Sequence, residues 1–260
     1  GSIVKSVNTK YNNSVIRFIV GHQASGRTKL IAEKIITLKC FDAIEASNPD
    51  NNRKQYGNNR YSQSNIDQWL NSAAGAGAWY SARHSYDAPP NNANVWSNYN
   101  EYDAQPGFLS FFEESFRNAI LDSTIRVAKN TVTDGGGYED ITRKVYLLSN
   151  TEVGLANENS VAEGTKWDLF SNDNSRKANP TAEAVSASEY TNSSLNASSP
   201  WYWWLRTPHA GYSHGARSVG TDGALGSDSA YSGNRGVRPA LEVGSGILVS
   251  DSVDTDGAYI

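Results

Sequence analysis

Residues 201–243, WYWWLRTPHAGYSHGARSVGTDGALGSDSAYSGNRGVRPALEV, constrain this chain more than any other stretch. Two apolar runs, WYWWLR and GVRPALEV, bracket 29 residues, Thr207 to Arg235, made almost wholly of Gly, Ser, Ala, Tyr, His, Asn, Asp and Arg. Alternation in the first run puts Trp201 and Trp203 on one face of a strand and Tyr202 and Trp204 on the other. In the second, Val237, Leu241 and Val243 share the parity of a buried face. The intervening segment has too little apolar surface to form a core, so it reads as a surface displayed by two strands.

Its composition suits recognition. Tyr offers a large amphipathic contact area at low rotamer cost, and Ser, Gly and Asn adapt their hydrogen bonding. The expected ligand-binding residues are His209, Tyr212, Ser213, His214, Ala216, Ser218, Asp228, Tyr231, Ser232 and Asn234, with Tyr212 and Tyr231 as anchors. Residues Val219 to Leu225 are predicted to form a hairpin turned by Asp222-Gly223. With Val219 and Leu225 inward, Ser218, Gly220, Ala224 and Gly226 would face outward. The expected framework is Trp203, Trp204, Arg206, Val219, Asp222, Gly223, Leu225 and Arg238. The two arginines have two readings, a bidentate clamp on an anionic ligand or a means of satisfying buried carboxylates and carbonyls. A Gly/Ser-rich surface loop without a ligand would share the composition of the whole segment.

Composition narrows the remaining classes. A net charge of −4 with 19% charged residues gives no basic field for nucleic acid or an anionic membrane. No run approaches 18 apolar residues, so no direct membrane insertion is expected. Cys40 is the lone cysteine, which removes an internal disulfide and a cysteine metal site and leaves a small core residue beside Phe41. Gly1-Ser2 read as the scar of a cleaved tag, and residues 1–13 as a lead-in.

Several local patterns imitate chemistry. GHQASGRT, residues 21–28, departs from a phosphate-cradling loop by placing Arg27 where that loop needs Lys, and a polar hairpin loop is the better reading. His209 and His214, with Asp222 and Asp228 nearby, lack helical spacing and a clear fourth ligand, so no metal is assigned. Ser81, His84 and Asp87 lack the strand, elbow and helix that activate a nucleophilic serine. The stretch from Asp254 to Gly257 lacks the first ligand and distal Glu of a calcium loop. No cofactor and no catalytic residue follow from these patterns, and the chain is expected not to be an enzyme.

Helical signals are few. SNIDQWLNSAA carries an N-cap at Ser64 and apolar residues at helical spacing, predicting a helix that ends at Gly75 to Gly77. Phe108, Phe112, Phe116 and Ile120 predict a second helix after Pro106-Gly107. A short helix is expected near Glu152, capped by Ser149 after the strand KVYLLS, and another from Pro180 to about Tyr190. The fold class is therefore α+β, with helices packed on antiparallel sheets and a long irregular C-terminal display region.

The phrases FDAIE, YGNNRYSQSNIDQWLNS, NVWSNYNEYDAQPGF, VYLLSNTEVGLA, WWLRTP, VGTDGAL and GVRPAL, in that order, resemble the family called domain of unknown function 6273. That family is similar to C-type-lectin-like and formylglycine-generating folds, and the resemblance covers most of residues 14–243. It implies one ligand-binding domain over 14–243 and a tail or linker over 244–260. A single cysteine does not supply the chemistry of formylglycine generation.

C-type-lectin-like folds also carry the variable proteins of diversity-generating retroelements, whose adenine-directed mutagenesis does not yield Lys, Glu, Gln, Met or Trp. All five are missing from Thr207 to Arg235, where background usage would place about four. The resemblance implies a receptor-binding protein of a virion tail or bacterial cell surface, taking a protein or glycan ligand on a target cell or phage surface. An invariant structural or adhesion module of the same fold is the other expectation.

Overall fold

A computed structural model describes all 260 residues. The expected lead-in is a strand: β1 (Ile3–Tyr11) pairs antiparallel with β2 (Ser14–Ala24) through a turn at Asn12-Asn13, both at positive φ. Asn is among the few residues that enter the left-handed region readily. The β2 strand returns as β3 (Arg27–Ala32) across Ser25-Gly26, so GHQASGRT is a hairpin tip. Its Arg27 guanidinium reaches the Glu242 carboxylate at 3.2 Å.

The other strands are β4 (Thr37–Leu38), β5 (Ser123–Ala128), β6 (Tyr138–Arg143), β7 (Val145–Tyr146), β8 (Trp203–Pro208), β9 (Gly215–Val219), β10 (Leu225–Ser229), β11 (Gly236–Val237) and β12 (Ala240–Gly244). They form a sheet of order β1-β2-β3-β12-β7, a second of order β10-β9-β8-β11-β4, and the separate pair β5-β6. The architecture is mixed α+β, mostly sheet with short helices, and includes a curled half-barrel sheet.

Two chain segments run through both large sheets, β3 into β4 and β11 into β12. GVRPALEV is therefore two strands, because Pro239 lacks the N–H that a continuous ladder needs. At this joint Arg238 donates through Nε to the Ala32 carbonyl at 2.8 Å, and its guanidinium lies 5.1 Å from the Trp203 ring centre. The same ladder burial covers both parities, since Ala240 and Glu242 are buried along with Leu241 and Val243.

The helices are shorter than the periodicity predicts. They are α1 (Asn51–Tyr56), α2 (Asn65–Leu70), α3 (Glu114–Ala119), α4 (Asp173–Arg176) and α5 (Ala182–Ala187). Ser64 caps α2 as expected, accepting from the Asp67 N–H at 3.3 Å. The helix stops at Leu70 rather than at the glycines because Asn71 turns to β7, donating to the Val145 carbonyl at 2.8 Å. The predicted second helix splits into a 3-10 turn, Phe108–Phe111, and α3, with Phe112 extended between them. Phe108, Phe112 and Phe116 still stack in series at 5.1 and 5.4 Å.

Near Glu152 there is a turn and no helix, although Ser149 and Glu152 exchange side-chain-to-backbone bonds in the manner of a capping pair. The strand before it is only Val145–Tyr146. Thr181 caps α5 inside the span predicted for the fourth helix.

Six of the seven tryptophans are buried in one continuous core, so tryptophan here serves packing rather than contact. Cys40 is among these core residues. The tail does not trail away: Tyr259 exchanges backbone bonds with Ile3 and Lys5 at 2.9 and 2.8 Å, and Lys5 pairs with Asp254 and Asp256.

A candidate binding face around residues 209–215

The display segment is a hairpin with a loop at its root. Val219 pairs with Leu225 across the turn, and Gly223 adopts φ +87° as the Asp222-Gly223 signal requires. Asp222 Oδ1 accepts from the Ala224 N–H at 3.0 Å and closes the turn. Leu225 is half-buried, less enclosed than Val219.

The outward face predicted from alternation is not outward at β9. Ser218 is 1% exposed and Ala216 fully buried, both faces of β9 are covered, and only Arg217 keeps solvent access along the strand. Alternation reports one solvated face only when the sheet has one. Ser213, Ser232 and Asn234 are buried too. The Ser213 hydroxyl donates to Asp50 at 2.8 Å, and the Asn234 carbonyl accepts from Trp201 Nε1 at 2.8 Å. The accessible members of the predicted set are His209, Tyr212, His214, Asp228 and Tyr231, with Tyr212 51% exposed.

These accessible rings form a line. His209 lies 4.4 Å from Tyr212, and Tyr212 lies 5.6 Å from His214. Tyr56, at the end of α1, extends the line at 5.1 Å from His214 and 5.7 Å from Tyr231. Beyond Tyr231 stands the Asp228–Arg235 ion pair at 2.6 Å, with the Arg235 guanidinium 4.2 Å over Tyr202. Arg217 is paired with Glu158. The result is a polar aromatic crest with both signs of charge beside it.

Residues outside the display segment hold the crest in place. Asn59 Nδ2 donates to the carbonyls of Tyr212 at 2.7 Å and Gly215 at 2.9 Å, and the Asn59 N–H donates to the Ser213 carbonyl at 3.1 Å. Arg53 Nε reaches the same Ser213 carbonyl at 3.2 Å. Glu158 accepts from the Ala210 N–H at 2.8 Å, while the Thr131 N–H donates to the Ala210 carbonyl at 2.9 Å. An irregular loop so tied can present side chains without ordering itself on binding. None of Tyr56, Asn59, Arg53, Thr131 or Glu158 was identified from the sequence, which offers no long-range pairing signal. The only hint was that Asn59 stands inside the phrase YGNNRYSQSNIDQWLNS.

The electrostatics of the crest favour neutral imidazoles. Burial lowers the His209 pKa and the Arg217 charge lowers it further, against the pull of Glu158. Burial likewise lowers His214, with Asp50 opposing and His209 adding. His214 Nδ1 is buried without a hydrogen-bond partner.

Of the expected framework residues, Trp203, Trp204, Arg206, Val219, Gly223 and Arg238 are buried, whereas Leu225 is half-buried and Asp222 is exposed at the turn. Trp203 Nε1 donates to the Arg176 carbonyl and Trp204 Nε1 to the Lys39 carbonyl, at 3.0 and 2.9 Å. Arg206 is fully buried, pairs with Glu152 and donates to the carbonyls of Leu147, Arg126 and Glu163. This geometry follows the second of the two readings for the arginines, since neither reaches the crest.

The other patterns are also placed. Ser81 bonds to Gln68, whereas His84 Nε2 faces the buried Glu45 at 3.0 Å, so Ser81 and His84 are not paired. Hydrogen bonding to Glu45 raises the His84 pKa. No group of three or more His, Cys, Asp or Glu side chains is arranged to hold a metal ion, and no helix is long and apolar enough to cross a membrane.

No curated protein and no solved structure matches the chain. The family described as domain of unknown function 6273 does match, over residues 25–245, from the β2–β3 turn through β12. That span takes in the whole second sheet, the crest and its supports, and every strand of the first sheet but β1 and β2, so the chain belongs to the domain of unknown function 6273 family.

Proposed function

We propose that this chain is a ligand- or receptor-binding module that recognises a protein or glycan on a target cell or phage surface without chemistry. The crest of His209, Tyr212, His214, Tyr56 and Tyr231 carries this reading, because its rings follow one another at 4.4–5.7 Å and its loop is held from beneath. Successive rings tilted 42–71° to one another offer apolar faces and edges to a sugar or an extended peptide, and the neighbouring ion pairs offer hydrogen bonds beside them. The scaffold is read as C-type-lectin-like and the display segment as the variable region of a diversity-generating retroelement, on a virion tail or cell surface. Absence of Lys, Glu, Gln, Met and Trp from 207–235 supports that part.

One observation favours a second reading, an invariant structural or adhesion module of the same fold. Half of the predicted contact positions are buried, namely Ser213, Ala216, Ser218, Ser232 and Asn234. Variation at these would disturb the fold rather than the ligand.

Sequencing the locus across a population of the source separates the two. A diversified module gives codon changes concentrated at 209, 212, 214, 228 and 231, with 203, 204, 219 and 223 fixed. Equal variation in the display segment and in α2 and α3 leaves only the invariant module.

A further inference from the structure

Lys39 lies immediately after β4 and is 2% exposed. Its ammonium is boxed by three rings, 4.9 Å from the centre of Trp69, 5.0 Å from Tyr102 and 5.9 Å from Tyr11. One protein acceptor meets it, Gln105 Oε1 at 2.9 Å. An ammonium has three N–H donors, and a buried charge normally requires both a partner charge and full hydrogen bonding.

Three of the four other buried cations have that partner. Arg53 meets Asp134, Arg176 meets Asp173, and Arg206 meets Glu152. Arg238 has no carboxylate but donates to the Ala32 and Glu33 carbonyls. Lys39 has no carboxylate within 4.0 Å and no backbone carbonyl, only the Gln105 amide oxygen. Instead it lines a cleft of about 210 Å³ that also exposes Gln105, Asn12, Glu101 and Glu189.

Glu101 and Glu189 line this one cleft, and burial, with Glu189 adding to it, pushes the Glu101 carboxyl up. Glu189 also accepts from the Asn100 N–H at 2.7 Å. Carboxylates in one cleft repel, and a cation bound there relieves that repulsion. The cleft thus sets an under-partnered ammonium against a carboxyl pair that favours a positive charge.

We propose that this cleft binds a small zwitterion of the free amino-acid class, its carboxylate accepting from Lys39 and its ammonium donating to Glu101 and Glu189. A zwitterion answers both ends at once, whereas a simple anion or amine answers one. The cleft shares no lining residue with the aromatic crest.

Calorimetric titration with glycine, L-alanine and 4-aminobutyrate, against acetate and methylammonium as half-ligands, tests it. At least one zwitterion should bind saturably, with each half-ligand about tenfold weaker or more, the factor expected from losing one charge-assisted contact. Glu101→Gln should weaken the zwitterion about tenfold and leave acetate unchanged. Glu101 makes no side-chain bond to the backbone of another segment, so this variant should keep the wild-type unfolding midpoint even if Lys39→Met does not fold. No saturable binding by any of the three zwitterions, acetate binding as tightly as they do, or a Glu101→Gln protein that binds them unchanged would each overturn the proposal.

Discussion

Asn130 donates its side-chain amide to Asn59 Oδ1 at 2.9 Å, and this buried bond fixes which way the Asn59 amide faces. The Asn59 NH₂ is thereby aimed at the Tyr212 and Gly215 carbonyls, and the crest loop takes its shape from it. Asn59→Asp would put an acceptor against those carbonyls and keep nearly the same volume. A buried group left facing like partners costs about 1–3 kcal/mol. The expected result is a loss of that order in denaturant unfolding, with faster amide exchange at residues 209–215 than elsewhere. Loss spread evenly over the chain would show that Asn59 supports the core rather than the loop.

Gly223 joins the display hairpin to α4. Its φ of +87° already disfavours a side chain, and an added Cβ would sit 1.9 Å from the Asp173 carbonyl oxygen. Left-handed strain alone is worth about 1–2 kcal/mol, and the contact adds to it. Gly223→Ala is therefore expected to lower the unfolding midpoint by several degrees. In contrast, Gly135→Ala has a similar φ of +78° but open space around it, so it reports strain without the clash. Equal midpoints for the two variants would remove the α4 contact from this account.

What could be read from the sequence was local. The Asp222-Gly223 hairpin and the Ser64 cap each depend on neighbouring residues and stand where the pattern puts them, while the strand expected over WYWWLR runs instead from Trp203 to Pro208 with both of its faces buried. Positions set by partners far along the chain were not legible. The α2 helix, for one, ends early because Asn71 finds Val145. Tyr56 joins the crest from a helix about 150 residues before the display loop, which composition of that loop does not announce. Arg206 and Arg238 were assigned to the framework, but their targets are mostly carbonyls from β3, β5 and the segment after β7, which only the fold brings together.

Tyr212 separates binding from folding. It is half-exposed and contacts His209 and His214 at the surface, so its removal should change stability by no more than about 0.5 kcal/mol. A central aromatic of a binding face commonly contributes about 2 kcal/mol or more to affinity. Screened against glycan arrays and surface proteins, Tyr212→Ala should keep its unfolding midpoint and bind its ligand at least about tenfold more weakly than the parent. Undiminished binding would place recognition away from the crest.

His84 should titrate on the opposite side of the ordinary histidine value of about 6.5 from His209 and His214. His209 and His214 lie below it because burial penalises their charged forms, and His84 lies above it because Glu45 holds its proton. The stability signs follow by linkage. With folded pKa values lowered, His209 and His214 leave the unfolded chain binding more protons below about pH 6.5, so their contribution falls as pH drops through that range. His84 does the reverse, contributing fully below about pH 6.5 and losing that contribution as pH rises through its folded pKa. NMR titration of His84, His209 and His214 should therefore give two low midpoints and one high one among the three. Replacing His84 with Gln should steepen the loss of stability on acidification, since the opposing contribution is gone. A His214 midpoint at or above that of His84 would mean that the crest is more open to water than the ring contacts with Tyr56 and Tyr212 allow.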